Sequence, residues 1–413
     1  MVKGLEKRRI LIHSLTFYPD QVSTASLYFE IAKYLVSQGA KTTVFTTYPH
    51  YNPDPLFKKK SKWFLFYRKS TIEGIQIIHI YQKKTKSIFL RALLLFYFHF
   101  CFSVWAIFRF NFDLVLTPSP PLTSGLLSGI AAKMHGSKSI YNVQEIHPDM
   151  LTKQNRSITP LMPVLRKIEK LTYKFSDKLV TIHDLFSQTI SKRTDENKIV
   201  AIPNFENGGY TDLSDGYELK SASNEKHTFV LGYFGNIGFL QDWNLLIQAI
   251  GELKEQIPIA LLLIGGGAEY KRLHSLSHSL DFLTVLPYVD KFELNSYVHN
   301  IDAHLIAMTV ASDKDGLPSK VFSLLGVGVP IIAVTNSDSP LSDILLKSRN
   351  AVISPLGDSE KLKENILSVY KKRVDFDTKF CKRYIRENYS KEVVLNSYVR
   401  LIQTLISTKQ QDG

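Results

Sequence analysis

Lys314-Asp315-Gly316-Leu317-Pro318-Ser319-Lys320-Val321-Phe322-Ser323, continuing through Leu324-Leu325-Gly326-Val327-Gly328-Val329-Pro330-Ile331-Ile332, decides the reading of this chain. It predicts a glycine turn, a helix opened by Pro318, and a small-residue turn into a buried strand. Proline suits the first helical position, where its missing N–H is not needed. The N–H groups of such a first turn, with Lys320 beside them, suit an anion such as a nucleotide diphosphate. A helix start that merely needs a cap is the plain alternative, and the motif alone does not separate the two.

Outward from this stretch the pattern is periodic. Strand-like runs at Thr228–Tyr233, Ala260–Ile264, Thr284–Leu286, His304–Ala307, Ile331–Val334 and Ala351–Ile353 alternate with helical ones. The first half repeats the pattern at Ile10–Leu15, Thr42–Thr46, Ile75–Tyr81, Leu114–Thr117, Ser139–Val143, Leu179–Ile182 and Ile199–Ile202, with helical periods such as Ala25–Val36 and Leu161–Phe175 between. Such alternation predicts doubly wound parallel sheets. Asn204–Lys226 is polar and glycine-bearing and reads as the connection. We therefore expect an α/β chain of two Rossmann-like domains facing a cleft. The expected bounds are 1–205 and 206–388, with the last helix, 389–413, packing back on the first domain.

Composition limits the function. The 413 residues carry a net charge of +13 and 44% hydrophobic residues, enough for two cores and suited to an anionic partner. Two cysteines, Cys101 and Cys381, exclude a disulfide scaffold or a thiolate zinc site. Lys7-Arg8-Arg9 leads into an apolar run too short for a signal peptide core, so a reducing, cytoplasmic setting is expected. No nucleic-acid module is visible.

Two more turns join the first. Tyr233-Phe234-Gly235-Asn236-Ile237-Gly238 ends a strand and precedes a helix from about Asp242, and Leu263-Ile264-Gly265-Gly266-Gly267 ends the next strand. Glycine lets backbone approach a ligand closely. Together with Phe17-Tyr18-Pro19, Asn142-Val143-Gln144-Glu145-Ile146-His147-Pro148-Asp149, Ile202-Pro203-Asn204 and Gly328-Val329-Pro330, these turns resemble the glycosyltransferase family four enzymes of GT-B fold. The likeness is nearest to the bacterial branch that builds capsule, O-antigen and exopolysaccharide.

The resemblance implies a retaining transfer of a hexosyl or N-acetylhexosaminyl unit from a nucleotide sugar, UDP-linked by expectation, with no required metal. It implies donor binding by Gly235, Asn236, Gly238, Gly265, Gly266, Gly316, Leu317, Pro318, Ser319 and Ser323; the catalytic candidates are His147, Glu145, Asp315 and Lys320, although many relatives carry their histidine slightly earlier, where this chain has Gln144. Where the family carries two glutamates around the Pro318 turn, this chain has Asp315 and Ser323. Where many relatives place Arg and Lys in the first turn of the second domain, it has Asn236 and Asp242. Those departures support a second reading, a catalytically weak nucleotide- or partner-binding protein of a polysaccharide assembly complex. Asp149 and Glu145 are candidate partners for donor hydroxyls. His147 suits proton transfer from an acceptor hydroxyl, or is a loop histidine bonded to backbone. His274 and His278 stand at i,i+4 but lack a third ligand and read as a solvated face.

Residues 88–110 form the most apolar stretch, long enough to span a bilayer. Arg91, His99, Ser103 and Arg109 fall within about a third of its helical circumference. The stretch also sits where a crossover helix is due, so we expect it to pack partly on the sheet and partly in the membrane interface. Phe57–Lys69 ahead of it interleaves cations and aromatic residues, suited to anionic headgroups. A solvated basic loop above a buried helix is the alternative. The partners expected are a nucleotide sugar, a lipid-linked acceptor and the inner face of the plasma membrane.

Overall fold

The computed structural model describes residues 4–20, 22–50, 62–64, 67–85, 87–154, 156–206, 228–314, 317–318 and 320–408. The chain divides into two compact units. Unit 1 comprises Met1–Asn204 and Glu392–Gly413, and unit 2 comprises Phe205–Lys391.

Unit 1 runs β1 (Arg9–His13), α1 (Ser23–Ser37), β2 (Lys41–Thr47), β3 (Lys62–Phe64), β4 (Tyr67–Ile72), β5 (Ile75–Ile80), α2 (Ile88–Arg109), β6 (Leu114–Pro118), α3 (Leu122–Met134), β7 (Lys138–Val143), α4 (Asp149–Gln154), α5 (Met162–Phe175), β8 (Lys178–Thr181), α6 (Asp184–Ser191) and β9 (Ile199–Ala201). The strands form one sheet in the order β3-β4-β5-β2-β1-β6-β7-β8-β9. Its body is parallel, as the alternation predicts. The edge is not: β3, β4 and β5 pair antiparallel. Glu73 and Gly74, with φ of 51° and 76°, turn β4 back onto β5 in the two-residue hairpin that this twist favours.

The basic-aromatic run Phe57–Lys69 is described only in part. Its described part is edge strand: Lys62–Phe64 is β3, and Tyr67, Arg68 and Lys69 open β4. Arg68 lies 5.1 Å from the Tyr48 ring, a cation–π contact inside the unit. Lys58, Lys59 and Lys60 lie outside the described residues.

One face of α2 makes the core. Phe98, Cys101, Phe102, Ala106 and Phe110 are buried against Leu11, Phe45, Ile78 and Val115 of the sheet. Phe102 stacks on the His13 ring at 3.7 Å. His13 Nδ1 meets Ser128 Oγ at 2.7 Å, and burial holds its pKa well below the ordinary value, so it is a neutral core histidine.

Unit 2 runs β10 (Phe229–Asn236), α7 (Trp243–Leu253), β11 (Ile259–Gly266), α8 (Tyr270–Ser277), β12 (Leu283–Leu286), α9 (Lys291–Asn300), β13 (Ala303–Ala307), α10 (Lys320–Val327), β14 (Ile331–Val334), α11 (Pro340–Ser348), β15 (Ala351–Ser354), α12 (Ser359–Tyr370) and α13 (Thr378–Tyr389). All six strands are parallel, in the order β12-β11-β10-β13-β14-β15. The order reverses between β10 and β13, and ligands of open α/β sheets bind at the carboxyl ends beside such a switch point. The last helix, α14 (Lys391–Thr408), buries Val394, Leu395, Tyr398, Val399 and Ile402, and from Glu392 on it belongs to unit 1. Tyr34 Oη donates to its Asn396 Oδ1 at 2.8 Å, and Asn142 Nδ2 of β7 donates to its Tyr398 Oη.

Candidate functional site

The carboxyl ends of β10 and β11 are in register, Gly235 opposite Gly265 and Asn236 opposite Gly266. Gly235 has φ +130° and Gly265 has φ +155°, a region that side chains disfavour. A Cβ on Gly265 would overlap the Gly235 carbonyl, and a Cβ on Gly235 would overlap Lys320 Nζ. The two glycines therefore make room, one for backbone and one for a cation. Ile237 N–H donates to Gly266 O at 2.9 Å, closing the pair of turns. A Cβ on Gly238 would come within 3.0 Å of Asn236 Nδ2, so the Asn236 amide also faces this turn.

Lys320 is the charged centre of the arrangement. It opens α10, partly buried, and its Nζ donates to the Phe234 carbonyl at the end of β10. The ammonium also lies 4.6 Å from the centroid of the Tyr233 ring. Burial pulls this amine down to about 7 from its ordinary 10.5. No carboxylate pairs with it in the salt bridges among the described residues. A cation with this surrounding gains strongly from an arriving anion.

Its neighbours are aromatic. Tyr233 Oη donates to Asn236 O at 2.8 Å, and its ring stacks at 5.6 Å on His304. His304 is fully buried in β13, and neither ring nitrogen has a hydrogen-bond partner among the described residues. Burial first, then the Lys320 charge, lowers its pKa well below the ordinary value. Tyr288, beyond β12, was not singled out by its sequence. It is 60% exposed, covers Gly266 and donates to the Gly266 carbonyl at 3.3 Å.

The remaining predicted residues divide. Gly235, Asn236, Gly238, Gly265, Gly266 and Lys320 are brought together. Pro318 stands just ahead of α10 instead of inside it, and its carbonyl accepts from Val321 N–H at 3.1 Å. Leu317 packs against the core beneath. Asp315, Gly316 and Ser319 lie outside the described residues. Ser323 is 7% exposed on a helix whose inner side is core. Asp242 is the N-cap of α7, accepting from Leu245 N–H at 3.1 Å. Asp313, also missed, is buried just upstream. It accepts from Thr335 Oγ1 and, at 3.3 Å, from Asn336 N–H, which ties the loop before Asp315 to the end of β14. Burial raises its carboxyl pKa against those hydrogen bonds.

In unit 1, Glu145 and His147 are paired. His147 Nε2 lies 3.0 Å from Glu145 Oε2, with His147 nearly buried. Ser119 Oγ accepts from Gln144 N–H at 2.9 Å, and Gln144 bridges Asn142 and Asn204 through its amide. This fixes the loop after β7. Asp149 belongs to an ion-pair network. It is held by Arg166 and, at 2.7 Å, by Arg193, and both arginines also bind Glu169. His274 and His278 meet edge-on at 5.1 Å. Among the described residues no group of three His, Cys, Asp or Glu side chains could hold a metal ion.

Residues 218–391 match the family model Glycosyl transferases group 1. No curated protein matches the chain. Among solved structures, sucrose-phosphate synthase from Thermosynechococcus elongatus aligns over 97% of this chain and 100% of its own at 14% identity, with a TM-score of 0.71. HepE of Anabaena in complex with UDP aligns over 96% and 100% at 14% identity and TM-score 0.67. WaaG, a glycosyltransferase involved in lipopolysaccharide biosynthesis, aligns over 95% and 99% at 11% identity and TM-score 0.67. The chain therefore has the fold of the GT-B glycosyltransferases, and its second unit carries the group 1 match.

Proposed function

We propose that the protein is a retaining glycosyltransferase that moves a sugar from a UDP-linked donor to a lipid-linked acceptor in cell-surface polysaccharide synthesis. The observation that carries this reading is Lys320, a cation held over Gly235 at the switch point of unit 2, inside the segment matching the group 1 model. In the transfer, the acceptor oxygen bonds to the anomeric carbon as the bond from that carbon to the diphosphate breaks. The electron pair leaves on the diphosphate, whose growing charge Lys320 stabilises. The acceptor proton passes to the departing phosphate oxygen. Similarity to HepE, solved with UDP and with UDP-glucose, supports a UDP-linked donor. Similarity to WaaG and to WaaB, a lipopolysaccharide outer core galactosyltransferase, supports a surface-polysaccharide role.

The test is UDP release from a panel of UDP-sugars in the presence of bacterial lipid-linked acceptors. Release that depends on one sugar and on an acceptor, and falls at least a hundredfold or so in Lys320→Ala, supports transfer. Tight UDP binding with no turnover of any donor supports the second reading, a binding protein, which Asp315 and Ser323 in place of the family's glutamates favour.

A further inference from the structure

We propose that α2 lies lengthwise on an anionic lipid bilayer, its outward stripe sunk at the headgroup boundary while its inward face stays fixed on the sheet. The inference stands on unit 1 alone and does not depend on the sugar-transfer reading.

The helix is apolar on the wrong side for water. Phe89, Leu93, Phe96, Phe100 and Ile107 fall on one line along it and are 79%, 52%, 68%, 57% and 56% exposed. The line runs about 27 Å at 1.5 Å per residue. Phe108 flanks it, 77% exposed. A surface helix in a water-soluble fold keeps its outward face polar. Here the polar residues point elsewhere: His99 bonds Thr123 of α3 at 2.7 Å, and Ser103 bonds the His99 carbonyl at 2.9 Å. By length and composition α2 could cross a membrane. Its opposite face, however, is core, with Phe98 and Phe102 fully buried against the sheet. The chain also enters it from β5 and leaves it into β6 of that same sheet. Lying on the surface satisfies both faces, and crossing does not.

Charge identifies the partner. Unit 1 carries 31 Lys and Arg against 15 Asp and Glu, while unit 2 carries 20 against 23. The whole positive excess of the chain is on the unit that bears the stripe. Exposed Arg91 and Arg109 stand at the two ends of α2, Lys83 stands ahead of it, and Lys133 closes α3 beside Met134, which is 67% exposed. A second copy of so basic a unit would be repelled, whereas an anionic leaflet attracts it.

The experiment is flotation of the full chain with vesicles of phosphatidylcholine, with and without phosphatidylglycerol. Binding is expected only with phosphatidylglycerol. Phe96→Ser and Phe100→Ser should each weaken partition about tenfold at every salt concentration. Lys83→Gln, Arg109→Gln and Lys133→Gln should each weaken it about fivefold at low salt alone. All five positions are exposed, and unchanged melting of each variant supports reading its loss as lost docking. Release by alkaline carbonate supports docking, and retention after it overturns the proposal in favour of a spanning helix. Indifference to phosphatidylglycerol or to both phenylalanines overturns it. A dimer that Phe96→Ser dissociates also overturns it, giving the stripe to a second copy.

Discussion

Lys320 should make nucleotide binding depend on pH in a way that few surface lysines would. Its amine titrates at about 7 in the ligand-free protein, against an ordinary value of 10.5. That difference corresponds to about 5 kcal/mol between the two protonation states. The sign follows directly. Between these two values the unfolded chain binds the proton and the folded chain does not, so stability of the free protein rises with pH through this window. A diphosphate needs the charged form. The charged fraction is about one-half near pH 7 and about one-hundredth near pH 9. The dissociation constant for UDP should therefore rise about fiftyfold across that range. Calorimetry in buffers of differing ionisation enthalpy should show uptake of about 0.9 proton per UDP bound near pH 8. Lys320→Met should remove both the slope and the uptake, and weaken binding near pH 7 by about tenfold to a hundredfold. A pH-independent dissociation constant with no proton uptake would refute the assignment of Lys320 to the diphosphate.

Two glycine substitutions should separate chemistry from fold. Gly235→Ala meets only the flexible end of Lys320, so it should weaken UDP binding at least about tenfold with a smaller loss of stability, read by calorimetry and thermal melting. Gly265→Ala meets the Gly235 backbone carbonyl and should destabilise unit 2 by about 3 kcal/mol in urea unfolding. Asp149→Asn leaves Arg166 and Arg193 short of a partner and should cost unit 1 about 2 kcal/mol. Burial raises the Asp149 carboxyl pKa, but hydrogen bonds from the two arginines outweigh it and the net value is lowered, so its contribution should persist above about pH 4 and fade as pH drops through the lowered value. Tyr398→Phe removes the acceptor of the Asn142 amide and should cost about 1–2 kcal/mol, measured by urea unfolding.

The alternation of strand and helix was legible because parallel strands buried on both faces read as short apolar runs. Ile331–Val334 is an example, observed as expected. The β3–β4 edge beyond β5 was not, since Tyr67–Ile72 alternates exposed and half-buried residues and carries cations that read as a loop. Its signal was Glu73-Gly74. In the site, glycines at the strand ends were legible because a turn between parallel strands and a ligand demands them. The environment of Lys320 was not. Its burial comes from Gly235 and Tyr233, some 85 positions upstream, brought beside it only when β10 and β13 pair. The ion-pair partners of Asp149 were hidden for the same reason: Arg193 meets it across 44 positions of chain. Ser323 shows the converse, a polar residue placed by helical spacing next to Lys320 yet nearly enclosed by the fold.

The return of α14 to unit 1 sets an order on synthesis. The ribosome completes Phe205–Lys391 before it releases the residues that unit 1 still lacks. Until then the Asn142 amide and the Tyr34 hydroxyl await partners, and the apolar bed of Val394, Leu395, Val399 and Ile402 stands open. The first half of the chain is thus a waiting intermediate for the length of an entire domain, an interval of about ten to forty seconds at ordinary elongation rates. A nascent chain stalled inside unit 2 would keep that bed open, and holding chaperones would find it. The segment that closes it leaves the tunnel only after the whole of unit 2.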